Sequence, residues 1–164
     1  MWWCDLAAWL YAIAVSCVLI HEAGHVCAAL LLRLPLNLVQ IGSGPGVVLR
    51  GRKGCGKKAF EGEVRVENEG GEGATLRVGV LPWGGCTQVR LDECVAGEGF
   101  VRRSTIFLLA GAAANLAVVL VALFLLKGFW AWVLVWAQAA CGIAALIPLG
   151  PSDGAKVVHV IRNR

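Results

Sequence analysis

The chain has 164 residues, 58% of them apolar and only 16% charged, with a mean hydropathy of +0.70 and a net charge of +4. An ordinary soluble domain carries about 25% charged residues, so a water-soluble globule is the class these figures exclude. A nucleic-acid-binding role does not fit either, because the eleven Lys or Arg between Arg33 and Arg103 are offset by eight acids and no aromatic stripe accompanies them.

Three apolar runs account for the missing charge. Leu6 to Leu32 contains no ionisable group except Tyr11, two cysteines and the cluster His21, Glu22 and His25. Ser104 to Leu126 is 23 residues without a charge, and Phe129 to Pro148 is 20 more. About 20 apolar residues are needed for a helix to cross the hydrocarbon of a bilayer, so the sequence predicts three membrane spans. The first run is a poor secretory leader, since no Lys or Arg precedes it and its 27 residues exceed a leader's apolar core. Trp2, Trp3 and Trp9 are expected as interface anchors.

Pro35 is expected to end the first helix near Arg33. In the central loop, Val64 and Val66, then Leu76, Val78 and Val80, alternate with polar residues around a Gly-rich turn at 68–73, the pattern of a hairpin. The second and third spans are expected to form an antiparallel pair through Lys127 and Gly128, with small residues at Gly111 to Ala114 for close approach. Pro148 and Pro151 break the third run, and Ser152 or Asp153 is placed to cap a new helix there. The expected fold is an all-α membrane protein with a small β insertion. Its parts are a first core helix over 1–33, a membrane-associated β-loop region over 34–103, and the second and third core helices with a short C-terminal helix over 104–164.

Basic residues near the spans, Arg33, Arg102, Arg103 and Lys156, put the loop and the C-terminus in the cytoplasm and the N-terminus outside. The seven cysteines form no C-x-x-C pair. Cys4, Cys17, Cys27 and Cys141 are expected as small buried thiols in or beside the spans, and Cys55, Cys86 and Cys94 as reduced thiols in the loop.

The cluster in the first run is His-Glu-Ala-Gly-His. Ionisable groups in hydrocarbon are costly, so such a cluster marks a functional site. On a helix, His21 and His25 share one face and can aim both imidazoles at one point, with Glu22 beside them to take a proton. H-E-x-x-H on a helix is the zinc-metallopeptidase pattern; the plainer reading is a pair of core histidines and a chance glutamate. Zinc in a catalytic site usually takes a third protein ligand. Asp5, Asp92, Glu93, Glu98, Asp153 and His159 are available. Asp153 lies at the helical break on the side where the first span ends; His159 is expected as an interfacial side chain. His25 and His21 lie about 12 and 18 Å below Arg33 along a helix, within reach of that break.

With these residues in view, the chain resembles a minimal member of the site-2 protease family of intramembrane zinc metallopeptidases. HEAGH matches the family's first signature. "VQIGSGPGVV" is similar to the stretch after the first core helix, and "VLPWGGC" to the membrane-associated β-loop. "AGAAANL" supplies Gly111 and Asn115 in a G-x-x-x-N pattern, and "ALIPLGPSDG" resembles the signature ending in Leu-Asp-Gly. Ala145, Ser152 and Ala112 depart from the family's usual Asn, Leu and Pro, and the turn between the last two spans is too short for the PDZ domain many relatives insert. The resemblance implies one Zn²⁺ per chain held by His21, His25 and Asp153, with Glu22 as catalytic base and Asn115, Gly84 and Gly85 contacting substrate. It implies cleavage of transmembrane segments of membrane-anchored proteins, in a bacterial cytoplasmic membrane. The alternative is a catalytically silent adaptor of the same fold that binds transmembrane helices; intact His21, Glu22, His25 and Asp153 argue against it.

Overall fold

A computed structural model describes residues 2–50, 74–89 and 99–162. The elements run α1 (Trp2–Leu31), β1 (Leu36–Arg50), β2 (Thr75–Val89), α2 (Gly99–Leu125), α3 (Phe129–Leu146) and α4 (Asp153–Arg162).

Helix α1 stops where the residue before Pro35 can no longer be helical. Arg33 turns to φ 55°, and its N–H and that of Leu34 donate to the carbonyls of Leu30 and Ala29 at 3.2 and 2.8 Å. This is a Schellman closure, built with an arginine where glycine is usual.

The two strands pair antiparallel over their whole length, from Leu36 opposite Val89 to Arg50 opposite Thr75. Both bend midway, so Leu38 to Ile41 lie beside Gln88 to Gly85 and also beside Thr75 to Val78. Positive φ at Gly42, Gly44 and Gly84 permits these bends. Leu76, Val78 and Val80 are thus in a strand as expected, but their partner is β1; the other expected arm of the hairpin, at Val64 and Val66, lies outside the described residues. Tyr11 ties the sheet to α1 by donating its hydroxyl to the Val80 carbonyl at 2.6 Å.

Helices α1 and α2 cross closely because Gly24 has no side chain: a Cβ there would collide with the Ala110 carbonyl and lie 2.8 Å from the Ala114 Cβ. Helices α2 and α3 form the expected antiparallel pair through Lys127 and Gly128. The core gathers at one end, where Ala28, Ala29, Leu34, Phe107 and Leu108 pack with Val157 and Val160 of α4.

Helix α2 begins at Gly99, so the expected boundary at 103/104 falls inside it. Hydropathy marked only the apolar part of a helix that continues back through the exposed Arg102 and Arg103. Cys17 is buried, whereas Cys4, Cys27 and Cys141 are exposed, contrary to the expectation of four buried thiols. Cys4 and Cys27 are exposed along α1, and Cys141 faces an open cavity between α1 and α3. Cys86 is half-buried, and Cys55 and Cys94 lie outside the described residues.

Helices α1, α2 and α3 are long and apolar enough to cross a membrane. Only 11%, 33% and 17% of their most apolar windows is buried within the protein. Helices apolar all round, with so little covered by their own chain, have the surface of membrane spans.

Candidate metal centre

The i, i+4 spacing sets the His21 and His25 rings edge to face, with centroids 4.9 Å apart and an interplanar angle of 81°. Their Nε2 atoms lie 3.2 Å from each other. Room for both rings comes from α2, since a Cβ on Gly111 would stand 2.5 Å from His25 Nε2 and 2.7 Å from His21 Nε2. The His25 ring is oriented from behind: Nδ1–H donates to the Phe107 carbonyl at 2.7 Å. A carbonyl can only accept, so Nδ1 carries a proton and the lone pair of the neutral ring is on Nε2, facing the centre.

Asp153 arrives from the opposite end of the chain. Ser152, not Asp153, caps α4: the Ala155 N–H donates to Ser152 Oγ at 3.1 Å, and that hydroxyl donates to the Ile147 carbonyl at 2.6 Å. The Asp153 side chain is therefore free of capping duty. Its Oδ2 lies 3.0 Å from His21 Nε2 and 3.1 Å from His25 Nε2, while Lys156 Nζ donates to Oδ1 at 3.2 Å. Burial alone would raise the Asp153 carboxyl. The close contacts with the His21 and His25 rings, with help from Lys156, outweigh burial and hold the carboxyl well below the usual carboxylate range.

Two nitrogens and one oxygen thus converge with separations of 3.0, 3.1 and 3.2 Å, and together they could hold a metal ion. Electron pairs so close need positive charge between them. Ligands of tetrahedral Zn²⁺, with bonds of roughly 2.0–2.1 Å, stand about 3.3 Å apart, so the spacing and the N, N, O donor set fit this ion.

Glu22 is buried at 3% exposure, on the side of α1 that faces β2. The Thr87 hydroxyl donates to its Oε2 at 2.6 Å, and Gly85 leaves room for Oε1, which a Cβ at 85 would strike. All these groups line one cavity of about 670 Å³. It runs along α1 from Leu10 to His25, walled opposite by Val133, Ala137, Cys141 and Ala145 of α3 and roofed by Pro82 and Gly84 to Thr87 of β2. Asn115, one helical turn beyond Gly111, also lines it. That residue is 0% exposed, and neither amide atom has a hydrogen-bond partner among the described residues.

The structure therefore brings His21, His25 and Asp153 together, with Glu22, Asn115, Gly84 and Gly85 around the same cavity. Of the other possible ligands, Asp5 lies sixteen residues, or about 24 Å of helix, before His21. His159 is exposed on α4, while Asp92, Glu93 and Glu98 lie outside the described residues. Sequence reasoning missed Thr87, the Phe107 carbonyl and the Ser152 cap as parts of the site. No pattern marks a lone threonine in a strand or a backbone carbonyl; the cap was legible only as one of two options. Comparison with known proteins finds no family model that matches this chain, and no curated protein matches it.

Proposed function

We propose that this chain is an intramembrane zinc metallopeptidase of the site-2 protease type. It would span the bilayer three times and cut the transmembrane segments of membrane-anchored proteins. The observation that carries the reading is the convergence of His21, His25 and Asp153 with Glu22 beside them in one cavity among apolar helices. A buried acid–imidazole cluster is costly to keep in such surroundings unless it performs chemistry.

When bound, zinc supplies Lewis acidity at this point and lowers the pKa of water beside it. Glu22, held by Thr87, accepts a proton from the attacking water as its oxygen bonds to the scissile carbonyl carbon. It returns that proton to the leaving amine as the C–N bond breaks. Asn115 offers two unpartnered amide atoms to the substrate backbone, and its burial keeps bulk water from competing for them. A membrane helix hides its own amides and must unwind before cleavage; the strand through Gly84 and Gly85 offers backbone groups to the extended form.

The test uses purified protein on membrane-anchored peptides. Glu22→Gln should retain the metal and lose roughly 10²- to 10⁴-fold in rate, the usual weight of a general base. Equal cleavage by parent and variant would reject the assignment.

A further inference from the structure

Where α1 ends and α2 begins, a second cavity of about 440 Å³ opens beside the core. Its walls are mostly apolar: Leu34, Val89, Phe107, Leu108 and Val160. Ser104 also lines it, although this residue is only 5% exposed and its hydroxyl has no hydrogen-bond partner among the described residues. A hydroxyl buried and unsatisfied is unfavourable, so the cavity is built for a ligand with a polar atom at this point.

The rim is basic. Lys156 and His159 line the cavity, Arg33 adjoins Leu34, and Arg103 adjoins Ser104. Among the described acids only Asp153 pairs with a cation at this end, Lys156, whose exposed ammonium keeps further donors for a second anion. Asp5 is at the far end of α1, Glu22 is held by Thr87, and Asp153 is engaged by His21, His25 and Lys156. An apolar slot with a basic rim at the end of apolar helices matches an anionic lipid, whose tail and headgroup need these two surroundings at once.

We propose that this cavity binds one anionic phospholipid. The acyl chain lies along Leu34, Phe107, Leu108 and Val160, and the phosphate accepts from the Ser104 hydroxyl and pairs with Lys156. Two of these groups also hold the metal centre: the Phe107 carbonyl accepts from His25 Nδ1, and Lys156 donates to Asp153. Lipid binding itself does not depend on the peptidase reading; an influence of the lipid on the centre does.

The test is native mass spectrometry of the full chain in detergent, titrated with dioleoylphosphatidylglycerol or dioleoylphosphatidylcholine. One phosphatidylglycerol per chain is expected, bound about tenfold more tightly than phosphatidylcholine, because the two share the phosphate contacts but choline brings a cation toward Lys156, Arg33 and Arg103. Ala155→Trp, which fills the slot, should abolish this binding. Ser104→Ala, nearly isosteric and safe for the fold, should weaken it about tenfold. Equal retention of the two lipids, or binding by Ser104→Ala as tight as by the parent, would overturn the proposal. A parent that holds the lipid but cuts no peptide would reject the peptidase reading alone.

Discussion

His25 and Phe107 are joined across 82 residues by a hydrogen bond of 2.7 Å, from the ring Nδ1–H to the backbone carbonyl. That contact fixes which nitrogen of His25 faces Asp153, so the ligand geometry on α1 depends on how closely α2 lies against it. Gly24 and Gly111 are the two positions that let α2 lie there.

Gly111→Ala therefore tests the centre without touching a ligand. Alanine favours a helix over glycine by about 1 kcal/mol, so the helix itself gains. The added methyl, 2.5 Å from His25 Nε2 before any adjustment, must displace the imidazoles. Zinc affinity should fall roughly 10- to 100-fold, as when other groups that orient ligands are disturbed. Competition against a chelator of known affinity measures it.

Gly24→Ala should act on stability. The new Cβ meets the Ala110 carbonyl, and backbone cannot swing aside as a flexible side chain would. A loss of about 1–3 kcal/mol is expected from overpacking at the α1–α2 crossing, read as a lowered thermal midpoint in detergent.

Thr87→Val removes the hydroxyl that donates to Glu22 and keeps the volume of the side chain. Zinc content should stay at the parental level while cleavage slows by about tenfold, the weight of one hydrogen bond to a charged group. Loss of zinc in this variant would mean that Thr87 supports the fold of the site and not Glu22.

Tyr11→Phe cuts the tie between α1 and the sheet at Val80. About 1 kcal/mol of stability should be lost, and amide exchange near Val80 should speed up relative to Gly85. Tyr11 is ten residues, or about 15 Å of helix, before His21. The exposed Val78, Val80 and Leu81 are thus held beside the middle of α1, among surfaces suited to lipid.

What the sequence made legible follows from where a pattern and a physical cost coincide. HEAGH stood out because the helical period puts both rings on one face and because acids and imidazoles are rare among apolar residues. Asp153 was found through its neighbours, two prolines that force a helix to end. Strand β1 was not read as a strand, since Gly42, Gly44, Pro45 and Gly46 interrupt any alternation and its order comes from pairing with β2. The start of α2 was misplaced because hydropathy falls at Arg103 while helical hydrogen bonding does not. Thr87 and the Phe107 carbonyl act only through tertiary approach, which leaves no local mark.

The central claim is that the two imidazoles and the Asp153 carboxylate form one zinc site. The most direct measurement is zinc content together with X-ray absorption of the purified parent and of Asp153→Ala. One zinc per parental chain, bound by two imidazole nitrogens and a carboxylate oxygen and lost from Asp153→Ala, is the result expected here. A parent that takes up no zinc, or an Asp153→Ala protein with undiminished zinc and the same spectrum, would contradict it.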